Sequence, residues 1–536
     1  MRAASPQGAK AFFQMLGSLP ARATHRRARR RRPRLPGWFA ERSVSPPHHR
    51  RVRQAFLTGL GGIYLIAFTS LGKQLRGLYG SRGILPMKDL LTSPRLLALG
   101  RERYHLLPTL FWKDASDKTL VRGIRAGQVL SLAVMLGIAP QASLTGLWAL
   151  YLSYVSAGRE FLSFQWDALL LEMGVLGILT APAGLRPGPG RYEPTAAQVA
   201  LWRALVFRLY FGSGVSKLKS GDETWRKLTA VSAYYETAPL PTRGGWHAHH
   251  LPAQVQKLST FSVLALETLG PFLAFAPRPL RLAGFWLFSA LQGIFIATGN
   301  YGFFNVQSLV LGLWLLDDAS LRRLLPAPPP AKPRPLWRTL GAWLPAAPLL
   351  ALGASETMAR FDRTRDKVPR WVEWLEMKAR PLRVVNPYGL FAVMTVRRPE
   401  ISIEGSDDGE TWREYTFRYK VSEPNRPPRQ VAPHQPRLDW QMWFAALSSP
   451  PVWVLALLLR LLEGAPEVLK LFAINPFPER PPRYARAVLF DYRMTDLETR
   501  RRTGAWWTRE RVGLYLPPLS LAPGGTASRL QWHAEE

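Results

Sequence analysis

Residues 54–72, QAFLTGLGGIYLIAFTSLG, run for nineteen positions without a charge. A membrane-spanning helix needs about 20 apolar residues, so this stretch has the length of one span. Just ahead of it lies His25-Arg26-Arg27-Ala28-Arg29-Arg30-Arg31-Arg32. The first 53 residues carry fourteen basic residues and a single acid, Glu41. Basic residues beside an apolar span are what the positive-inside rule expects of a cytoplasmic tail. Residues 1–53 therefore read as a basic, disordered N-terminal arm.

Apolar segments then recur at about 124–139, 142–157, 161–183, 197–215, 258–276, 280–298, 302–316 and 336–354. Some are short enough to be buried core helices singly, but so many in succession point to a membrane bundle. Residues 54–354 are expected to be a multi-pass domain of about nine helices. Pro140 suits a tight hairpin between the second and third. Residues 73–123 are amphipathic and read as interfacial helices. PAPPPAKPRP at 326–335 is a stiff connector that cannot be helical, and PAGLRPGPG at 182–190 is a second breaker. Nine spans from a cytoplasmic N-terminus would place the C-terminal part on the opposite face.

The whole chain of 536 residues has a net charge of +34, no cysteine and 47% hydrophobic residues. The apolar content excludes global disorder. The missing cysteine excludes disulfides, a thiolate nucleophile and Cys-ligated metals. Basic residues outnumber acids by 29 to 14 over 54–354 and by 28 to 22 over 355–536. The charge is concentrated in the arm and loops, where topology accounts for it. The expected partner is a lipid bilayer and not nucleic acid.

From residue 355 onward the pattern becomes mainly β and water-facing. Residues 390–398, 400–406, 411–420, 484–495 and 506–516 read as strands, with Asp408-Gly409 as a hairpin turn. Together they suggest a sandwich. Residues 451–462, PVWVLALLLRLL, are too few to span and read as a buried or interfacial helix.

Charges within the apolar segments need a partner or a purpose. Arg159 and Glu160 open the fourth segment, and Asp167 and Glu172 lie inside it. Arg203, Arg208 and Lys217 lie on the fifth, and Glu267 on the sixth. Asp167 and Glu172 are five residues apart, so they face different neighbours. The expected pairing sets them against Arg203 and Arg208. Two readings stand: a polar cavity for a head group or client segment, or structural pairs that fix helix register. Asn300-Tyr301-Gly302-Phe303-Phe304-Asn305 interrupts two spans, either lining a cavity or making a tight turn. His247, His249 and His250 form a loop cluster without helical metal-site spacing, so no metal is assigned. No GxSxG, phosphate loop or dinucleotide motif occurs, and Gly212-Ser213-Gly214 ends a helix instead of a strand. No catalytic residue or cofactor is assigned.

Several long strings are distinctive. They are SAGREFLSFQWDALLLEMG (156–174), FRLYFGSGVSKLKSGDETWRKLTA (207–230), YYETAPLP (234–241) and TGNYGFFN (298–305). Others are VVNPYGLFAVMTVRRPEISIEGSDDGETWREYTFRYK (384–420), HQPRLDWQMWFAAL (434–447) and TGAWWTRERVGLYLPPL (503–519). In this order they resemble the lipase maturation factor family from about residue 56 to 519. The resemblance implies a multi-pass membrane protein, of the endoplasmic reticulum in animals, that assists folding and assembly of lipases. Tyr234, Tyr235, Glu236, Asn300, Tyr301 and Asn305 lie in these strings and, with His250 of the histidine cluster, are the candidate loop-motif residues. The absence of cysteine departs from the animal members and argues against a redox role. Arginine outnumbers lysine 57 to 14, a bias that resembles a GC-rich bacterial genome and would place the protein in an inner membrane. Asp439, Trp440, Gln441 and Trp443 form a patch suited either to an exported client or to docking the two parts together. A membrane enzyme or lipid-handling protein using the polar cluster is the alternative reading.

Overall fold

The computed structural model describes residues 48–361, 368–522 and 530–533. All but the last six residues of the basic arm lie outside that range. The first long helix, α1 (Arg50–Gly72), contains the charge-free stretch and extends four residues ahead of it. Its open N-terminus is satisfied from far away. The Asp318 carboxylate accepts from Arg50 N, Arg51 N and Val52 N at 3.0, 2.8 and 3.1 Å. A carboxylate there suits both the unpaired N–H groups and the helix dipole.

Each of the other eight expected segments is also helical. In order they contain α2 (Asp117–Met135), α3 (Pro140–Ala157), α4 (Gln165–Thr180) and α5 (Ala196–Lys219). Then come α6 (Ala253–Thr268), α7 (Arg278–Thr298), α8 (Phe304–Gly312) and α9 (Trp343–Met358). By length and composition, α1 and α7 are the two that are long and apolar enough to cross a membrane among the described residues. Local chemistry explains several boundaries. Ser116 caps α2 and accepts from Thr119 N. Thr195 and Gln198 form a reciprocal capping box on α5. Pro140 opens α3, where its missing N–H costs no bond. Close helix contact requires small residues: a Cβ on Gly61 of α1 would lie 3.0 Å from the Ser131 carbonyl of α2. Of residues 73–123, Leu75–Trp112 hold short helices, with Leu97, Leu99, Tyr104, Leu106 and Leu110 exposed, and 117–123 already belong to α2.

A further helix, α10 (Arg370–Ala379), precedes the strand-rich part. That part contains β1 (Arg398–Ser406), β2 (Arg413–Phe417), β3 (Phe472–Ile474), β4 (Tyr484–Met494), β5 (Trp507–Leu521) and β6 (Leu530–Trp532). Among the described residues they form one six-stranded sheet, ordered β3-β2-β1-β4-β5-β6, with every pairing antiparallel. The two facing sheets of a sandwich are not found there. Helices take the place of the second sheet: α11 (Arg437–Ala446) packs on β1, and α12 (Val452–Leu462) packs on β4 and β5. Trp453, Val454, Leu457, Leu458, Leu461 and Leu462 are buried, the spacing of one helix face. This explains an apolar run too short to span a bilayer.

The Asp408-Gly409 turn forms as expected. Asp408 Oδ1 accepts from Glu410 N and Thr411 N at 2.9 and 2.7 Å, and Gly409 adopts φ +86°. These donors, with Ser406, hold the Asp408 carboxyl below the usual carboxylate range. Residues 390–397, expected as a strand, are irregular; their backbone is used elsewhere.

Replacing Leu458 by alanine removes a fully buried side chain from the sheet-covering helix. The expected loss is about 2–5 kcal/mol, read as a fall in the thermal unfolding midpoint of the detergent-solubilised chain. Val452→Ala on the same helix, at 73% exposure, should leave the midpoint nearly unchanged.

Candidate functional site

The charged and polar residues of the helical part converge on a seam with the C-terminal part. Asp167 begins α4 and is fully buried. Its carboxylate receives both Arg437 guanidinium nitrogens at 2.8 Å and the Tyr151 hydroxyl at 2.5 Å. Arg437 also donates to the Phe161 carbonyl at 2.7 Å. A two-pronged pair of this kind satisfies the planar guanidinium and carboxylate together.

One and a half turns along α4, Glu172 makes a second junction. Arg208 of α5 donates to Oε1 at 2.5 Å. The other oxygen accepts from Asn386 N at 3.0 Å and from the Tyr388 hydroxyl at 2.7 Å. Arg208 donates in turn to the Asn386 carbonyl at 2.7 Å. The Asn-Pro-Tyr segment is thereby clamped between two helices. Lys217, near the end of α5, donates to Glu267 of α6 at 2.6 Å and to the Leu390 carbonyl at 3.0 Å. These contacts occupy the irregular connector that precedes β1.

The loop motifs complete the seam. Asn300 Oδ1 accepts from Val431 N and Ala432 N at 2.7 and 2.9 Å, and its Nδ2 donates to the Arg429 carbonyl at 2.8 Å. Glu236 accepts from Met494 N at 2.9 Å, at the end of β4. Arg398, which opens β1, donates to the Glu236, Ala238 and Pro239 carbonyls at 2.9, 2.5 and 3.2 Å. It also donates to Glu400 at 2.7 Å. His250 lies between the Trp246 and Thr495 carbonyls at 2.7 and 3.0 Å. Among the described residues no group of three or more His, Cys, Asp or Glu side chains could hold a metal.

The residues singled out from sequence divide as follows. Asp167, Glu172, Arg208, Lys217, Glu267, Glu236, His250 and Asn300 are in the seam. The expected pairing of Glu172 with Arg208 is present, but Asp167 meets Arg437 and neither of the expected arginines. Five residues rotate Asp167 away from α5 and towards the C-terminal part. Arg203 is half-buried and lies outside the seam. Arg159 and Glu160 pair with each other at 3.5 Å and are partly exposed. Tyr234, Tyr235, Tyr301 and Asn305 line a cavity beside the seam.

Asp439, Trp440, Gln441 and Trp443 are all buried. Asp439 accepts from Tyr419 N and Lys420 N at 2.8 and 2.9 Å. Trp440 packs edge-on against Trp166, with ring centres 4.9 Å apart. Gln441 donates to the Glu160 carbonyl, and Trp443 to the Thr237 carbonyl at 2.9 Å. The patch has no exposed face for a client. Sequence reasoning missed Arg437, Asn386, Tyr388 and Arg398. All four lie inside the distinctive strings, but on segments read as water-facing, where a lone Arg or Asn gives no signal of burial.

Comparison with known proteins agrees with this two-part organisation. The family profile described as the lipase maturation factor transmembrane domain matches residues 51–323. The one described as the lipase maturation factor C-terminal domain matches residues 384–517. The chain belongs to the lipase maturation factor family. Lipase maturation factor 2 of Homo sapiens is 35% identical, across 88% of this chain and 82% of its own length. Lipase maturation factor 1 of Mus musculus is 33% identical across 88% and 87%, and that of Homo sapiens 30% across 88% of each. No solved structure matches the chain.

Two predictions follow from the seam. Asp167→Leu or Arg437→Met alone leaves a buried charge unpaired and should destabilise by about 3–5 kcal/mol. The double variant should recover most of that loss, as measured by thermal unfolding in detergent. His434 is half-buried, with its Nδ1 2.8 Å from Ser70 Oγ. Burial, with Lys73 and Arg437 nearby, pushes its pKa down to about 4. The unfolded chain, with an ordinary histidine near 6.5, binds the proton first. The stability of the neutral form is complete above about pH 6.5 and is lost as pH falls towards 4. Between pH 7 and 5 this amounts to about 2 kcal/mol. His434→Gln should reduce the pH dependence of the unfolding midpoint by that amount.

Proposed function

We propose that this chain is a membrane-embedded folding and assembly factor for exported lipases. The observation that carries the reading is the extent of the family match. Proteins named lipase maturation factors align with both parts of this chain over more than four-fifths of their length. The helical part is a multi-pass bundle with about nine spans in this reading. Supporting it, the outward side chains Leu258, Phe261, Phe272, Trp286, Leu287 and Ile294 are exposed and apolar, as lipid contact requires. The exposed Trp371, Trp374 and Met377 of α10 suit the bilayer surface. The membrane is the one that exported proteins cross: the endoplasmic reticulum in a eukaryote, the inner membrane in a bacterium.

In this reading the buried charges hold the C-terminal part against the bundle. Asp439, Trp440, Gln441 and Trp443 belong to the same contact. Engagement of Asp167, Glu172, Lys217 and Glu267 in pairing argues against the enzyme alternative, which needs an acid or base free to move a proton. The client is met by surface outside the seam.

Disruption of the gene should lower the specific activity of a secreted lipase several-fold while its synthesis continues. Reintroducing the intact chain should restore activity, and Arg437→Met alone should not. Unchanged lipase activity together with an unchanged set of exported proteins would refute the assignment.

A further inference from the structure

A cavity of about 360 Å³ lies between α5, α6, α7 and the connector before β1. This is within the range of about 300–1,000 Å³ typical of small-molecule sites. Its outer wall is aliphatic and open to the outside: Val255, Leu258, Leu287 and Ile294 line it and are 42–64% exposed. Its inner end is polar. There Asn305 Nδ2 donates to Gln292 Oε1 at 2.8 Å, and Gln292 Nε2 donates to Tyr210 Oη at 3.1 Å.

Asn305 is 1% exposed, and its Oδ1 accepts no hydrogen bond. A buried acceptor left without a donor is costly, so a donor belongs there. The charges that line the cavity, Lys217 and Glu267, neutralise each other at 2.6 Å. A carboxylate or phosphate head would enter with no free cation to meet it. A hydroxyl would meet the Asn305 oxygen, and a hydrocarbon chain would follow the aliphatic wall outward.

We infer that this cavity binds an uncharged single-chain lipid with a hydroxyl-bearing head, entered sideways from the bilayer. The inference rests on the membrane placement of the helical part. The ligand class follows from three observations: an apolar lateral mouth, a wall of zero net charge, and two buried polar groups without a partner, the Asn305 Oδ1 acceptor and the Tyr234 hydroxyl. Monoacylglycerol is the simplest lipid of that description.

The test uses the full chain in phosphatidylcholine nanodiscs with a photoactivatable monoacylglycerol carrying a diazirine in its chain. Labelling should map to peptides from α6 and α7. Unlabelled monoacylglycerol should compete at least tenfold better than the matching fatty acid or lysophosphatidylcholine. Ser262→Phe, which narrows the cavity from α6, should cut labelling at least fivefold with an unchanged unfolding midpoint. Asn305→Leu should keep the labelling but lose the preference for the hydroxyl-bearing competitor. Equal competition by all three lipids, or full labelling in folded Ser262→Phe, overturns the inference. If the chain stays soluble without detergent and enters no nanodisc, the membrane placement itself has failed, and the inference with it.

Discussion

A carboxylate removed from water must find a counter-charge, and at Asp167 that counter-charge is Arg437, 270 residues away in the chain. Both side chains are fully buried. Desolvating either alone is expensive, whereas the pair with its added hydrogen bonds is tolerable. The helical part therefore closes on the C-terminal part, and each end of the pair is correct only when the other is present. Glu172 repeats the logic with Arg208, Asn386 and Tyr388, and Arg398 repeats it with the backbone of residues 236–239. Tryptophan packing around Trp440 seals the same seam against water.

Much of this architecture is legible in the sequence, for a physical reason. Helices that bury apolar surface announce themselves by length and by absence of charge. All nine apolar segments are helical, and the positions of β4, β5 and the Asp408 turn follow from alternation and turn chemistry. What periodicity cannot reveal is what lies opposite. The strand pattern is compatible with a second sheet or with helices above the first. The run at 451–462 was the clue that a helix would supply the cover. The partner of Asp167 was misassigned because proximity in sequence favoured α5, while helix rotation turned the acid to the other side. Arg437 and Asn386 gave no warning, since an arginine in a polar string looks solvated until something buries it.

In the seam the acids of the polar cluster are engaged by partners. Groups that must shuttle protons need slack, whereas Asp167 accepts three hydrogen bonds and Glu172 four. Asn305 is the contrast. It keeps one unsatisfied oxygen in a wall whose charges cancel, beside an opening lined by aliphatic side chains. Pairing and cavity thus fall on overlapping sets of helices: ion pairs on α4, α5 and α6, and an open groove among α5, α6 and α7.

The long sequence separation across the seam has a consequence for biosynthesis. Asp167 and Glu172 leave the ribosome well before residues 386–388 and 437. Until those residues arrive, α4 carries two carboxylates, and Asp167 has no cation assigned to it. Asp167 can meet its partner only once residue 437 has been translated. A chain terminated before residue 437 therefore retains the nine apolar helices α1 to α9 yet lacks the arginine that pairs with Asp167.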